Sequence, residues 1–406
     1  MRKKNCNEKT DCLRCRNNDA PGRSDSSETE IIEEYSNVVV TFCKTDIIDL
    51  SDDMTELLAA IHEPLPNDYN IPSPPPWLDI EKLKKGQAFG LKYLFGLNYS
   101  QMMSLLLLFS SHDGLKPLIY TGKSHTPLLA FKRYLSTTLR VKSWYETEIW
   151  RTSSVGYKNL KYVRCMHLNV SKKMNNMSVN EIHCNSNLEE KLKDTEIGML
   201  CPLSSTLKKD FSQNGQTCPI VVKKEERVYL NQMEMCFTQF GFFGLMLLYP
   251  DKFTAKNATE EELANFVHLW RYIGYMLGIK EEYNLCKGDV NEVVQRSRHL
   301  VEYFIRPMVL HVNKEWEHMS RCALQGIEKF TKLRINFEST ILYFFWVLNI
   351  KTPNLIQYVS WKELTLFNIT KFLMTESHKV PAFLRFLNYC VKKNLENEAK
   401  EKNKKK

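Results

Sequence analysis

One histidine in this sequence stands in the middle of an apolar stripe with helical spacing. The stripe consists of Leu160, Val163, His167, Val170 and Met174, which recur every three or four residues. A buried neutral imidazole is a good ligand for a metal ion or a haem iron. A histidine that is hydrogen-bonded inside a hydrophobic core produces the same pattern. The stripe therefore predicts a helix with His167 on its buried face, and it leaves the role of the imidazole open.

Arg164 is the charged residue that such a helix would place beside this histidine. It precedes His167 by three residues, which is about one helical turn. A guanidinium at that distance is suited to hold an acidic group of a ligand. We therefore treat Arg164 and His167 as candidates for one binding site.

Segment 126–141 predicts a second helix of interest, entered through Pro127 at its first turn. Arg133, Ser136, Thr137 and Arg140 share one face of this helix, and the opposite face is rich in leucine. An amphipathic surface helix has this pattern by default. If the polar face points inward, it instead forms the polar wall of a pocket. Both interpretations stay open at this point.

The motifs of several common enzyme classes are absent from the sequence. No Gly-x-Gly-x-x-Gly follows a strand-like run, and Thr121-Gly-Lys-Ser124 matches only the end of a phosphate-binding loop. Neither a Gly-x-Ser-x-Gly elbow nor a His-Glu-x-x-His motif occurs. What remains is a chain in which an organic cofactor would carry the difficult chemistry.

The cysteines form no recognisable framework. Cys6, Cys12 and Cys15 are not followed by a second pair at zinc-finger spacing. Cys201 and Cys218 each precede a proline in a polar segment, where a thiolate ligand for haem is the less favoured interpretation. We therefore expect a reducing, cytosol-facing environment.

Charge and hydropathy limit the partners. The net charge is +9 with basic residues at both ends, and no basic stripe is interleaved with aromatic residues, so we expect no nucleic-acid partner. The N-terminus lacks the apolar segment of a signal peptide, and no apolar run reaches the roughly 18 residues of a spanning helix. The tail from Lys402 fits the Lys-x-Lys-x-x pattern of endoplasmic reticulum (ER) retrieval, through Lys402 and Lys404. We expect at most a peripheral membrane association, to which the aromatic cluster at 343–346 would contribute if it were exposed.

Helical periodicity dominates from residue 77 onward, so we predict an all-α fold, a single large multi-helix bundle with an N-terminal appendage. Residues 1–76 are expected to be a partly disordered tail and appendage with a β-like run at 37–42. The main domain is predicted at 77–306, with a polar insertion at 171–227 that we expect to be mostly loop. A helical extension at 307–398 and a basic tail at 399–406 would follow.

Three segments, taken in order, resemble the catalytic domain of the ER-bound oxygenase mpaB and rubber oxygenase (latex clearing protein) family. They are 118–137, 156–167 with its Arg-Cys-Met-His end, and 231–279 with Trp-Arg-Tyr-Ile-Gly-Tyr-Met-Leu-Gly. The resemblance covers about residues 77–306. It implies an all-helical fold that binds haem b through a histidine and uses dioxygen to cleave carbon–carbon double bonds of isoprenoid chains.

The resemblance also implies roles for individual residues. His167 would be the proximal iron ligand, and Arg133 and Thr137 would lie near the distal face. Ser136 stands where rubber oxygenases carry a lysine, so the distal chemistry is expected to differ. Arg164 or Arg271 would pair with the haem propionates. No acidic residue matches the glutamate proposed as a base in rubber oxygenases.

Three functions are therefore in competition. The first is a haem-dependent oxygenase that acts on a small hydrophobic, isoprenoid or lipid-like substrate. The second is a non-catalytic haem-binding or lipid-binding protein that kept the fold and lost the distal chemistry, which Ser136 favours. The third is a helical interaction protein without a cofactor, in which His167 is only a core residue.

Overall fold

The computed structural model of the chain describes residues 31–35, 38–41, 51–193, 195–212 and 228–404. Several predictions lie outside these residues. They concern the tail before residue 31, with Cys6, Cys12 and Cys15, as well as Cys218 and the last two lysines of the C-terminal tail.

Helices make up most of the described chain, which confirms the predicted all-α class. The first nine are α1 (Asp52–Ala59), α2 (Ile80–Lys92), α3 (Leu94–Ser110), α4 (His112–Tyr120), α5 (Pro127–Glu146), α6 (Val155–Asn175), α7 (Val179–Asn185), α8 (Leu188–Lys193) and α9 (Ser204–Phe211). The others are α10 (Gln232–Leu248), α11 (Glu260–Leu277), α12 (Val290–His299), α13 (Arg306–Leu310), α14 (Lys314–Thr331), α15 (Phe337–Val347), α16 (Pro353–Tyr358), α17 (Trp361–Glu376) and α18 (Pro381–Lys404). A π-helical segment (Leu300–Ile305) joins α12 to α13, and 3₁₀ turns form at Pro250–Lys252, Glu281–Tyr283 and Ser377–Lys379.

One antiparallel hairpin is the only sheet in the described part of the chain. Its strands are β1 (Ile31–Tyr35) and β2 (Val38–Thr41), and Ile31 pairs with Thr41. β2 falls inside the β-like run predicted at 37–42, so that local prediction is confirmed.

The ends of the helices follow the signals in the sequence. Thr259 and Glu262 form a capping box at the start of α11, and Gly278 ends that helix with a left-handed backbone at φ +102°. At α5, Pro127 occupies the first turn and the Thr126 hydroxyl accepts from the Leu129 amide. These caps determine where the two helices begin and end.

The buried apolar side chains form one large core that runs from α1 to α18. α3 and α10 are apolar on nearly all sides and pack against each other at its centre. α11 packs on α2, and α14 packs on α5. Met54 near the N-terminus and Leu395 near the C-terminus belong to the same core. Residues on both sides of the predicted boundary at 306/307 therefore contribute to one hydrophobic interior.

The described part of the insertion at 171–227 is more helical than the expected mostly looped segment. Its described part contains the end of α6 and the helices α7, α8 and α9. These three helices are only six to eight residues long, so none has enough apolar positions to reveal helical periodicity. Burial of Ile182, Leu188 and Leu207 holds them against the bundle.

The aromatic cluster at 343–346 belongs to the core. Tyr343, Phe344 and Phe345 are fully buried, so the cluster does not form a membrane-facing patch. Among the described helices, none combines the length and the hydropathy needed to cross a bilayer.

Candidate functional site

A cavity of about 990 Å³, partly open to the surface, is lined mainly by α3, α5, α6, α10, α14 and α17. Its volume is near the upper end of the roughly 300–1,000 Å³ range of small-molecule and cofactor sites. Most of the lining is apolar, with leucine, phenylalanine and methionine side chains from several helices. A large, bulky hydrophobic ligand suits these dimensions.

Helix α5 supplies the polar wall of this cavity. Arg133, Ser136, Thr137 and Arg140 all line it, so the polar face of the helix points inward. This decides between the two interpretations of the helix left open by the sequence. The polar face is the wall of a pocket, and it is not an ordinary solvated surface.

Helix α6 lies close to α5 because Gly156 is at their junction. The Gly156 amide donates to the Thr147 hydroxyl at 2.9 Å, and an added Cβ would lie 2.4 Å from that hydroxyl oxygen. Only glycine allows this approach. Ser154 caps α6 by accepting from the Tyr157 amide. The close contact positions the apolar stripe of α6 next to the polar wall of α5.

The predicted stripe on α6 faces the cavity over its middle part. Leu160 and Met174 at its two ends are fully buried, and Val163, His167 and Val170 line the cavity. The part of the His167 side chain that is accessible to solvent therefore borders the cavity. The expectation that the helix buries this face is confirmed.

The His167 ring is neutral at ordinary pH. Burial and, to a smaller extent, the nearby positive charge of Arg133 together lower the pKa of His167 to about 4. Its Nδ1 atom is buried and has no hydrogen-bond partner in the part of the chain that the structure describes. A buried ring nitrogen without a partner is unusual, because nearly all buried polar atoms are satisfied.

Arg133 is a partly buried cation, and the partners of its guanidinium are hydroxyl groups. Its Nη1 donates to Thr121 Oγ1 at 3.3 Å and to Ser124 Oγ at 3.4 Å. No carboxylate forms an ion pair with it among the described residues. Burial lowers the pKa of Arg133, but a guanidinium keeps its proton. The site thus holds a positive charge that pairs with no carboxylate in the described part of the chain.

Arg140 repeats this arrangement two helical turns further along α5. Its Nη1 donates to Ser136 Oγ at 2.6 Å, and its guanidinium lies 4.6 Å from the centre of the Tyr162 ring. The seven-residue separation puts Arg140 about 10 Å from Arg133 along the helix axis. The polar wall therefore offers two separate positions for anionic groups.

Thr137 contributes a hydroxyl to the same wall. Its Oγ1 donates to the Arg133 carbonyl at 3.2 Å, a bond within the helix. The hydroxyl oxygen keeps lone pairs that can accept from a ligand.

Arg164 and Arg271 do not line the cavity. Arg164 is buried and donates from Nε to the Asp68 carbonyl at 3.1 Å and from Nη1 to the Met276 carbonyl at 3.2 Å. Met276 is in the last turn of α11, where helix carbonyls lack partners within the helix. Arg164 therefore caps the C-terminus of α11, which directs its guanidinium away from the ligand site.

Arg271 takes part in a surface cluster on α11. It forms an ion pair with Glu281, and its guanidinium lies 4.1 Å from the centre of the Trp77 ring. His268 Nε2, on the same helix, accepts from the Asp79 amide at 3.1 Å. The Trp-Arg part of the resemblance thus fastens α11 to the start of α2, and of that part Leu277 alone lines the cavity beside His167.

Four charged residues at the cavity had no sequence signal of their own. Lys123, Lys132 and Arg334 add to its positive charge, and Glu234 is the one acidic residue among the described lining. Glu234 Oε2 accepts from the amide of Leu230, whose backbone is left-handed at φ +55°. The turn before α10 brings Glu234 to the cavity, and helical periodicity alone does not predict that turn.

No group of three or more His, Cys, Asp or Glu side chains converges as a metal-binding cluster within the described ranges. The metal-binding expectation therefore depends on His167 alone. Cys201 does not line the cavity. Comparison with protein-family models, curated proteins and solved structures finds no match to this chain.

Proposed function

We propose that this chain is a haem b-dependent oxygenase that uses dioxygen to oxidise or cleave a small hydrophobic, isoprenoid or lipid-like substrate. The observation that carries the proposal is the position of His167. Its imidazole lines a cavity of about 990 Å³ that Arg133, Ser136 and Thr137 of α5 also line.

The residues present fit a haem group. The cavity is large and mostly apolar, as a porphyrin ring requires. The lowered pKa keeps the His167 ring neutral, so the imidazole that lines the cavity has a lone pair for iron. Arg140 and Lys132 lie on the cavity lining, where they can hold carboxylate groups in place of Arg164 and Arg271.

Bound haem would supply the one-electron and dioxygen chemistry that no amino-acid side chain provides. The protein's own contribution is binding, orientation and a water-poor environment. Arg133 places a partly buried positive charge beside His167, where it favours negative charge developing on a reacting group. The apolar side chains of α3 and α10 exclude water and accommodate a hydrocarbon chain.

The absorption spectrum of the purified protein tests the cofactor. Bound haem produces an intense band at the violet edge of the spectrum. His167→Ala should lose this band while its far-ultraviolet circular dichroism stays unchanged. The matched control is His183→Ala, which removes an exposed imidazole from α7 and should retain the band. A wild-type protein that never takes up haem, even when haem is added during refolding, would exclude the proposal.

A second candidate function is non-catalytic binding of an anionic lipid. The supporting observation is that Arg133 and Arg140 face an apolar cavity without a carboxylate partner in the described part of the chain. A fatty acid or phospholipid would neutralise them and fill the hollow. Native mass spectrometry of the purified protein separates the candidates, since a co-purified lipid and a haem differ in mass. If haem is present, consumption of dioxygen with an isoprenoid substrate distinguishes an enzyme from a carrier.

A further inference from the structure

The exposed apolar side chains of this protein are concentrated near the C-terminus. Ten of the sixteen large apolar side chains that are exposed in the described chain lie between Ile356 and Tyr389. We define the exposed α17–α18 surface by Trp361, Ile369, Phe372, Phe383, Phe386 and Tyr389. Trp361 is 73% exposed and Phe372 is 66% exposed. Soluble proteins rarely leave a large contiguous apolar patch uncovered unless it binds something.

α17 is a well-formed helix and not a frayed end, with apolar side chains both on its exposed face and on its inner side. Ser360 and Glu363 form a capping box at its start, and it packs on α15. Trp361, Ile369 and Phe372 are separated by eight and three residues, so they project from one face. The aromatic side chains are therefore held outward by a helix whose opposite side is fixed to the core.

The charges around these aromatic residues are predominantly positive. Segment 361–393 has six basic residues, and Glu363 and Glu376 are its only acidic ones. Both carboxylates have local partners, since Glu363 accepts from the Ser360 amide and Glu376 pairs with Lys379. Basic side chains on the borders of an apolar helix face are typical of helices that lie at an anionic membrane interface.

Two lysines border the exposed aromatic residues directly. Lys393 Nζ lies 5.6 Å from the centre of the Tyr389 ring, and Lys362 Nζ lies 5.7 Å from that of Trp361. Such lysines can extend their ammonium groups towards lipid phosphates while the rings enter the acyl boundary.

The inner side of the same helix forms part of the ligand cavity. Leu366, Thr370 and Leu373 of α17 line the cavity, and so does Val391 of α18. Ile369 both lines the cavity and is 49% exposed. One helix thus separates the hollow that contains His167 from the exposed apolar surface.

We propose that this protein docks on an anionic lipid bilayer through the exposed α17–α18 surface, lying on the membrane without crossing it. Docking places the wall formed by α17 against the lipid, so a hydrophobic ligand exchanges between the bilayer and the cavity past Ile369 without passing through water. The docking itself is independent of the proposed haem chemistry, because none of its residues contacts His167.

Sedimentation with vesicles of phosphatidylcholine, with and without phosphatidylserine, tests the docking of the full chain. Wild-type protein should bind the vesicles that contain phosphatidylserine, and salt should weaken the binding. Trp361→Ser with Phe372→Ser, and separately Phe383→Ser with Phe386→Ser, should each weaken it by about tenfold or more. The matched control is Val155→Ser with Val179→Ser, which removes exposed apolar side chains at the starts of α6 and α7 and should bind like wild type.

Tryptophan fluorescence provides a readout that does not depend on protein yield or folding of the serine variants. Vesicles should shift the emission of the wild-type protein to the blue, and Trp361→Phe should remove most of that shift.

His167→Ala should bind vesicles normally, so loss of haem and loss of docking are separable results. The proposal is overturned if the wild-type protein does not bind anionic vesicles, or if the serine variants bind them as tightly as the wild-type protein does. It is also overturned if these substitutions convert a dimer into a monomer in a protein that has no affinity for lipid.

Discussion

Arg133 on α5 and His167 on α6 line the same cavity, and the positive charge of the arginine lowers the pKa of the imidazole. Burial of the ring is the larger cause and acts in the same direction. Together they make protonation of His167 unfavourable in the folded protein. A cation and a neutral imidazole are thus available in one hollow, which is the chemical basis of the proposed ligand site.

The stability of the folded protein should depend on the protonation of His167. The pKa of this ring is 6.5 when it is unperturbed and about 4 in the folded chain. As the pH falls from 6.5 towards 4, His167 becomes protonated in the unfolded chain but stays neutral in the folded chain. The free energy of unfolding therefore decreases over this pH range. This difference in pKa corresponds to a decrease of about 3 kcal/mol in the free energy of unfolding once the pH has fallen to about 4.

The measurement is urea denaturation of wild type and His167→Gln at a series of pH values from 7 to 4 in the absence of added ligand. The free energy of unfolding of the variant should fall less over this range, by about 3 kcal/mol. His183→Gln, at an exposed position, should follow wild type. Parallel curves for wild type and His167→Gln would show that His167 titrates normally.

Filling the cavity should displace its ligand without unfolding the protein. Gly241 on α10 lines the cavity, and an added Cβ would lie 3.6 Å from Ser104 Cβ, an ordinary contact. Gly241→Phe should project a ring into the hollow and abolish binding of whichever ligand co-purifies. Gly241→Ala is the control and should retain the ligand while stabilising the helix by up to about 1 kcal/mol. Native mass spectrometry of both variants provides the measurement, and a Phe variant that keeps its ligand would put the binding site elsewhere.

Much of the fold could be predicted because local signals agree with the tertiary structure. The apolar stripe around His167 predicts both the helix and its inward face, and the Thr259 cap and Gly278 determine the ends of α11. The polar face of α5 was visible as a pattern, but its direction depends on what packs around it. Only the assembled bundle shows that Arg133 faces a cavity.

The role of Arg164 could not be predicted because helical spacing does not say where a long side chain ends. Its position three residues before His167 suggests a shared site. The structure shows its guanidinium on the Asp68 and Met276 carbonyls, which belong to segments far away in sequence. Glu234 was missed for a related reason, since a left-handed turn at Leu230 positions it.

Gly278→Ala should destabilise the end of α11. Gly278 has a left-handed backbone, which costs a residue with a Cβ about 1–2 kcal/mol. The new Cβ would also lie 3.0 Å from Arg164 Nη1 and push against the group that caps the helix. We expect a loss of about 1–3 kcal/mol in the free energy of unfolding. Gly198→Ala is the control, because an added Cβ there meets nothing within 4 Å. Equal stability of the two variants would mean that the Arg164 cap tolerates the displacement.

Glu317 is a buried carboxylate that holds the insertion against the bundle. The Leu203 amide donates to its Oε1 at 3.0 Å and to its Oε2 at 3.1 Å, and the Ser204 hydroxyl donates to Oε2 at 3.0 Å. Arg321 Nε donates to Oε1 from one turn further along α14. A negative charge at the N-terminus of α9 is favourable for the helix dipole as well.

Glu317→Gln should therefore destabilise the protein by about 3 kcal/mol and loosen α9 first. The amide removes the charge that pairs with Arg321, and its NH₂ group presents a donor where the Leu203 amide needs an acceptor. Glu328→Gln on the same helix is the control, and it should change the free energy of unfolding by less than about 0.5 kcal/mol. Hydrogen exchange should rise at residues 200–211 in Glu317→Gln and stay unchanged in the control. Exchange that rises equally across the whole bundle would show that Glu317 supports the core in general rather than the docking of α9.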